Sequence, residues 1–198
     1  MFKLSEIIEN ELREYMPWGI HEGVRIKSIE MSNDYVAVTY ADDEGRVAVQ
    51  RLAWDPDVPW KNENETEEET KAKIVKQNVS QLSAIMKLFV SDEVRRTFSA
   101  PDAKTYFMKA VNILTPLIEQ KKVDIKLLPT KKGYTTFGNY GGFIALHKED
   151  EPCTLKFSTY EQGQIDKFTG NVEDDDVSEE GDFSLFGKQA TTEENASE

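Results

Sequence analysis

Five lysines and four aromatic rings share one glycine-broken stretch, Lys121–His147, with the sequence KKVDIKLLPTKKGYTTFGNYGGFIALH. The bases are Lys121, Lys122, Lys126, Lys131 and Lys132, and Asp124 is the only acid among them. Tyr134, Phe137, Tyr140 and Phe143 are interleaved, with glycines at 133, 138, 141 and 142. A groove for unpaired nucleic acid needs this composition: ammonium groups neutralise phosphates, and flat rings stack on bases of any sequence. A hairpin with core rings and edge lysines that keep it soluble would look the same.

Further cations lie upstream. Arg25, Lys27, Arg46 and Arg51 fall in segments that read as strands and could join Lys126, Lys131, Lys132, Tyr134, Phe137 and Tyr140 on one nucleic-acid-binding surface. Trp18 reads as core, whereas Trp54 and Trp60 could be core lids or stacking platforms. No catalytic constellation stands out. There is no Gly-rich phosphate loop ending in Lys-Ser/Thr and no Gly-x-Ser-x-Gly. Cys153 follows Glu151, and acidic surroundings raise a thiol pKa rather than lower it. His21, His147 and Cys153 are far apart and show no metal-ligand spacing. The expectation is a non-enzyme with no metal and no cofactor.

Net charge argues at first against nucleic acid, because the 198-residue chain carries −13. The charge is unevenly spread. Residues 171–198 hold ten acids against Lys188, so this short tail accounts for −9 and residues 1–170 for only −4. The tail has no apolar period and reads as disordered. It nevertheless contains Asp182, Phe183, Leu185 and Phe186. Large apolar residues in such a tail suggest a short peptide that docks in a partner's pocket.

The elements that must position these groups can be read in order. Leu4, Ile8, Leu12 and Tyr15 recur at helical spacing over Ser5–Met16, and Pro17 and Gly19 end that helix. Three strands follow: Gly23–Met31, Tyr35–Tyr40 and Arg46–Trp54. In the third, Val47 and Val49 should share the apolar face, and Arg46 and Gln50 the other. Thr66-Glu67-Glu68-Glu69 fits a capping box ahead of an apolar stripe through Val79, Leu82 and Phe89. A second helix is expected over roughly 101–119, kinked or shortened by Pro116. Strand signals return at 123–127, 133–137, 143–147 and 154–158.

Three strands, a helical insertion at about 61–120, then more strands is the order of an OB-like Greek-key barrel. The fold class expected is therefore α+β, mainly β. Residues 1–170 form the binding domain, and residues 171–198 an acidic flexible tail.

A basic, aromatic β domain followed by an acidic tail with phenylalanines resembles the single-stranded DNA-binding proteins of bacteria and bacteriophages. The resemblance is one of layout over residues 20–60, 121–160 and 171–187. It implies stacking by Tyr134, Phe137 and Tyr140, and docking of replication or recombination proteins on Asp182, Phe183 and Phe186. In bacterial members the acidic-aromatic tip ends the chain, whereas here Lys188–Glu198 follow it. The implied function is non-sequence-specific single-stranded DNA binding in replication, recombination or repair, in the cytoplasm, with no membrane role and with homo-oligomers compatible. Two rivals predict no DNA affinity: an acidic interaction module that mimics nucleic acid, and an assembly component such as a virion protein.

Overall fold

The computed structural model describes residues 14–58, 65–138 and 141–169. The expected helix over Ser5–Met16 lies mostly outside the described residues. So do Trp60, Tyr140 and the whole tail with Asp182, Phe183, Leu185 and Phe186.

The fold is α+β, with a six-stranded, almost wholly antiparallel open sheet. Strands β1 (Gly19–Met31), β2 (Tyr35–Ala41) and β3 (Val47–Ala53) form the meander. Helices α1 (Glu67–Phe89), α2 (Asp92–Thr97) and α3 (Ala103–Leu114) follow. Then come β4 (Lys122–Pro129), β5 (Thr135–Phe137), β6 (Ile144–Leu146) and α4 (Thr159–Thr169). No described helix is long and apolar enough to cross a membrane.

Spatially the order is β3-β2-β1-β4-β5, with β6 also on β4. β1 serves both halves of the sheet. Its first part, Gly19–Arg25, pairs with β4, and its second, Arg25–Met31, pairs with β2. Register breaks at His21/Val24 and Ile26/Ser28 let it bend between them. β5 and β6 pair with successive stretches of one side of β4: Phe137 faces Leu127, and Ile144 faces Ile125. They are two halves of one interrupted edge strand.

One face of the sheet carries α1 and α3. Val24, Ile26, Val36, Val38, Tyr40, Leu52, Ile125 and Leu127 meet Leu82, Ile85, Phe107 and Leu114 in a single core. The capping box of α1 is formed: Thr66 N–H donates to Glu69 Oε2 at 2.8 Å, and Glu69 N–H donates to Thr66 Oγ1 at 3.2 Å. α3 stops at Leu114, two residues before Pro116, which can neither donate to the ladder nor fit beneath the preceding turn.

Three expectations change. In β3 it is Ala48, Gln50 and Leu52 that face the helices, while Val49 lies exposed on the outer face with Arg51. Tyr15 and Met16 are not helical: Met16 N–H donates to Val47 O at 2.9 Å, in a short bridge along the β3 edge. Thr154–Ser158 forms no strand but leads into α4, which had not been foreseen.

β3 and β5, at opposite ends of the sheet order, come close as the sheet curls. The Tyr40 and Phe137 rings lie 5.2 Å apart, and Phe137 in turn meets Phe143 at 5.7 Å. A buried polar chain crosses the seam. Tyr40 OH donates to Gln50 Oε1 at 3.0 Å, Gln50 Nε2 donates to Gln81 Oε1 at 3.0 Å, and Gln81 Nε2 donates to the Gly138 carbonyl. Burial pushes the Tyr40 hydroxyl far above its ordinary pKa, so it stays a donor. Gln81→Leu removes the middle of this chain and leaves Gln50 Nε2 and the Gly138 carbonyl without partners. It should cost about 1–3 kcal/mol. A urea midpoint within error of wild type would show that the chain does not hold the seam.

Candidate nucleic-acid interface

Strand pairing settles which side chains share the outer face of the meander. Arg25 pairs with Ala41, Ser28 with Thr39 and Glu30 with Ala37. Across β2, Ala37 pairs with Arg51, Thr39 with Val49 and Ala41 with Val47. The middle strand presents Tyr35 at one end of this face and then only the smaller Ala37, Thr39 and Ala41, between longer side chains on β1 and β3. The result is a shallow trough with small residues on its floor. Arg25, Lys27 and Arg51 are exposed along it. Glu30 is an acid on the same face.

Arg51 is preorganised, because its guanidinium lies 5.5 Å from the centroid of the Tyr35 ring. Such stacking leaves the N–H fork pointing outward for a phosphate. Beyond Arg51 the trough opens into the β3–β5 seam, a groove of about 600 Å³ lined by Tyr15, Thr39, Val49, Arg51, Gln77 and Thr136 among others. Tyr15 is 65% exposed at its mouth. The β4–β5 turn leads into the groove wall. There the Thr130 N–H donates to the Tyr134 carbonyl at 2.6 Å, and the turn carries exposed Lys131, Lys132 and Tyr134, the last 69% exposed.

Three residues expected on this surface are engaged elsewhere. Lys126 is 6% exposed; its Nζ lies 2.7 Å from Glu161 Oε1 and donates to the Lys156 carbonyl at 3.1 Å. The physical reason is that β4 is covered on both faces, by the core on one and by α4 with its leading segment on the other. Phe137 is 6% exposed because its ring closes the seam against Tyr40 and Phe143. Arg46 folds the β2–β3 turn: its Nε sits 2.7 Å from Asp42 Oδ2 and its Nη2 3.0 Å from Glu44 Oε2. Trp18 is half-buried against Phe168 of α4 at 5.3 Å, and Trp54 lies on Phe107 at 5.9 Å.

The groove also contains residues that the sequence did not single out. Tyr15 had read as one position in a helical stripe. Thr39 lies in an expected strand and Val49 was expected on the apolar face; pairing register puts the two side by side on the outer face.

A second cluster lies outside this groove. Asp124, 2% exposed on β4, accepts a hydrogen bond from Gly23 N–H at 2.9 Å and lies 2.6 Å from His147 Nδ1. Glu22 brings a carboxylate to the same place. Burial, with Asp124 and Glu22 nearby, pushes the Cys153 thiol up, which keeps it protonated and weakly nucleophilic.

No protein-family model matches the chain, and no curated protein and no solved structure matches it either.

Proposed function

We propose that this chain binds single-stranded DNA without sequence preference, in replication, recombination or repair. The reading rests on one observation above all: a small-floored trough on the outer face of β1–β3, edged by exposed Arg25, Lys27 and Arg51, runs into a groove at the seam between β3 and β5. Phosphates would lie along the cations. Bases would stack on exposed rings at Tyr15 and Tyr134, where stacking is typically worth about 1–3 kcal/mol per base.

The strand order supports an OB-type reading of the open sheet. Joining β3 to β5 would close a five-position barrel in which bent β1 serves both halves and the helices enter between β3 and β4. In OB barrels the β2–β3 face and the loops after β1 and β4 take the ligand. The β4–β5 turn with Lys131, Lys132 and Tyr134 is one of those loops. In this reading the acidic tail recruits replication or recombination proteins through Asp182, Phe183, Leu185 and Phe186. It also competes with DNA for the cations.

Fluorescence anisotropy of a labelled oligo-dT, with the full chain and with residues 1–170, tests this. The expected result is micromolar or tighter binding that falls steeply with salt. Removing the −9 tail should tighten binding several-fold at low salt, since a tethered polyanion competes at high effective concentration. Absence of binding by both forms at low salt would exclude the reading and favour the acidic-module or assembly alternatives.

A further inference from the structure

We propose that Glu22, Asp124 and His147 form a binding site for one divalent cation of the zinc class, separate from the DNA groove. These residues come from three places in the chain, and the fold brings one ligand atom of each within 4.8 Å of the others. A tetrahedral zinc with bonds of about 2.0–2.2 Å holds its donors roughly 3.4 Å apart. The observed spacing therefore needs only small side-chain adjustments.

Three features favour a cation over a coincidence of acids. The first is burial. The Asp124 side chain is 3% exposed, and its only ion-pair partner among the described residues is His147, which carries charge only when protonated. A buried carboxylate with a second carboxylate and an imidazole beside it gathers oxygen and nitrogen donors at one point, as a zinc-class cation requires.

The second is the backbone. β1 breaks register between His21 and Val24, and Gly23 adopts φ +68° there. This conformation aims the Gly23 N–H at Asp124 and lets the His147 ring lie against the glycine, where an added Cβ would sit 3.5 Å from Nε2. The bulge thus brings the backbone against both Asp124 and His147.

The third is donor chemistry. An imidazole with two carboxylates suits zinc better than magnesium or calcium, which prefer oxygen alone. A bound ion would staple the β1 bulge, β4 and the end of β6. Its role would be structural, and it shares no residue with the trough or groove.

The test uses untagged full-length protein stripped with chelator. Zn²⁺ is added during calorimetric titration and thermal unfolding, with Mg²⁺ as control. The expected result is one Zn²⁺ per chain and a rise in Tm of several degrees that Mg²⁺ does not produce. E22Q, an exposed and conservative change, should weaken Zn²⁺ binding at least tenfold while leaving the metal-free Tm unchanged. H147Q should abolish the Zn²⁺-dependent rise in Tm. Equal binding by wild type and E22Q, an equal response to Mg²⁺, or no binding by wild type would overturn the site. Oligo-dT affinity is read separately, so failure here leaves the DNA-binding proposal standing.

Discussion

Replacing Arg25, Lys27 and Arg51 together with alanine is expected to weaken oligo-dT binding on the order of 100-fold at moderate salt. All three are exposed on the outer face of the meander, where their loss empties no core position. A charge-assisted contact to phosphate is worth about 1 kcal/mol after screening, so three remove about 3 kcal/mol, and each 1.4 kcal/mol is tenfold. The salt dependence is the sharper readout. Each lost phosphate contact lowers the slope of log affinity against log salt by about 0.7 on single strands, so the triple variant should lose about 2. Arg46→Ala is the matched control. Its guanidinium is held by Asp42 and Glu44, so it should loosen the β2–β3 turn and leave the slope unchanged. A triple variant with wild-type affinity and slope would remove the trough from the account.

Lys126→Met is expected to do the reverse: destabilise the fold by about 2–3 kcal/mol and leave DNA affinity within about twofold of wild type. Breaking a buried ion pair typically costs about 3–5 kcal/mol, because the remaining charge is left without a partner. Here the penalty is moderated by the Glu161 side chain, which keeps 17% exposure, against 7% for Lys126. K126M/E161L should recover much of the loss, since apolar groups of similar size can replace such a pair. The pH dependence has a definite sign. Burial pushes the Glu161 carboxyl up, but hydrogen bonds from the Lys126 ammonium and the Ser158 N–H outweigh it and hold the group below its ordinary value of 4.5. A depressed carboxyl stabilises the fold above the unfolded value and loses that contribution as pH falls through the folded one. The stability gap between wild type and K126M should therefore narrow below about pH 4.5, as urea unfolding across that range would show. A gap that widens on acidification would mean that the pair is not what K126M disrupts.

These two experiments separate residues that the sequence treats alike. Lys126 and Arg51 are both cations inside strand-like stretches, and the strand signal alone does not tell them apart. The difference lies in α4, which covers β4 but not the meander. That helix did leave a trace in the sequence. Ser158 and Glu161 form a capping box, with Ser158 N–H donating to Glu161 Oε2 at 2.8 Å and Glu161 N–H donating to Ser158 Oγ at 3.3 Å. Gly163 and a polar composition hid it, and the alternation of Leu155 and Phe157 suggested a strand instead.

The equivalent box at Thr66–Glu69 was legible because a clear apolar stripe follows it. The meander was legible too, through β-branched runs and turn residues. Its facing was not, because Val49 and Gln50 reverse the usual rule: the valine lies outside, and the glutamine is buried in a fully bonded chain with Tyr40 and Gln81. The Glu22–Asp124–His147 cluster could not be read from spacing at all. Gly23 and Asp124, the hydrogen-bonded pair beside it, are 101 residues apart.

Photo-crosslinking of oligo-dT to the full chain, with the adducts located by mass spectrometry, tests the central claim most directly. The account predicts adducts at Tyr15, Tyr35 or Tyr134, around the trough and seam, and their loss at high salt. Adducts confined to the exposed faces of α3 and α4, at residues such as Met108 or Tyr160, would contradict it.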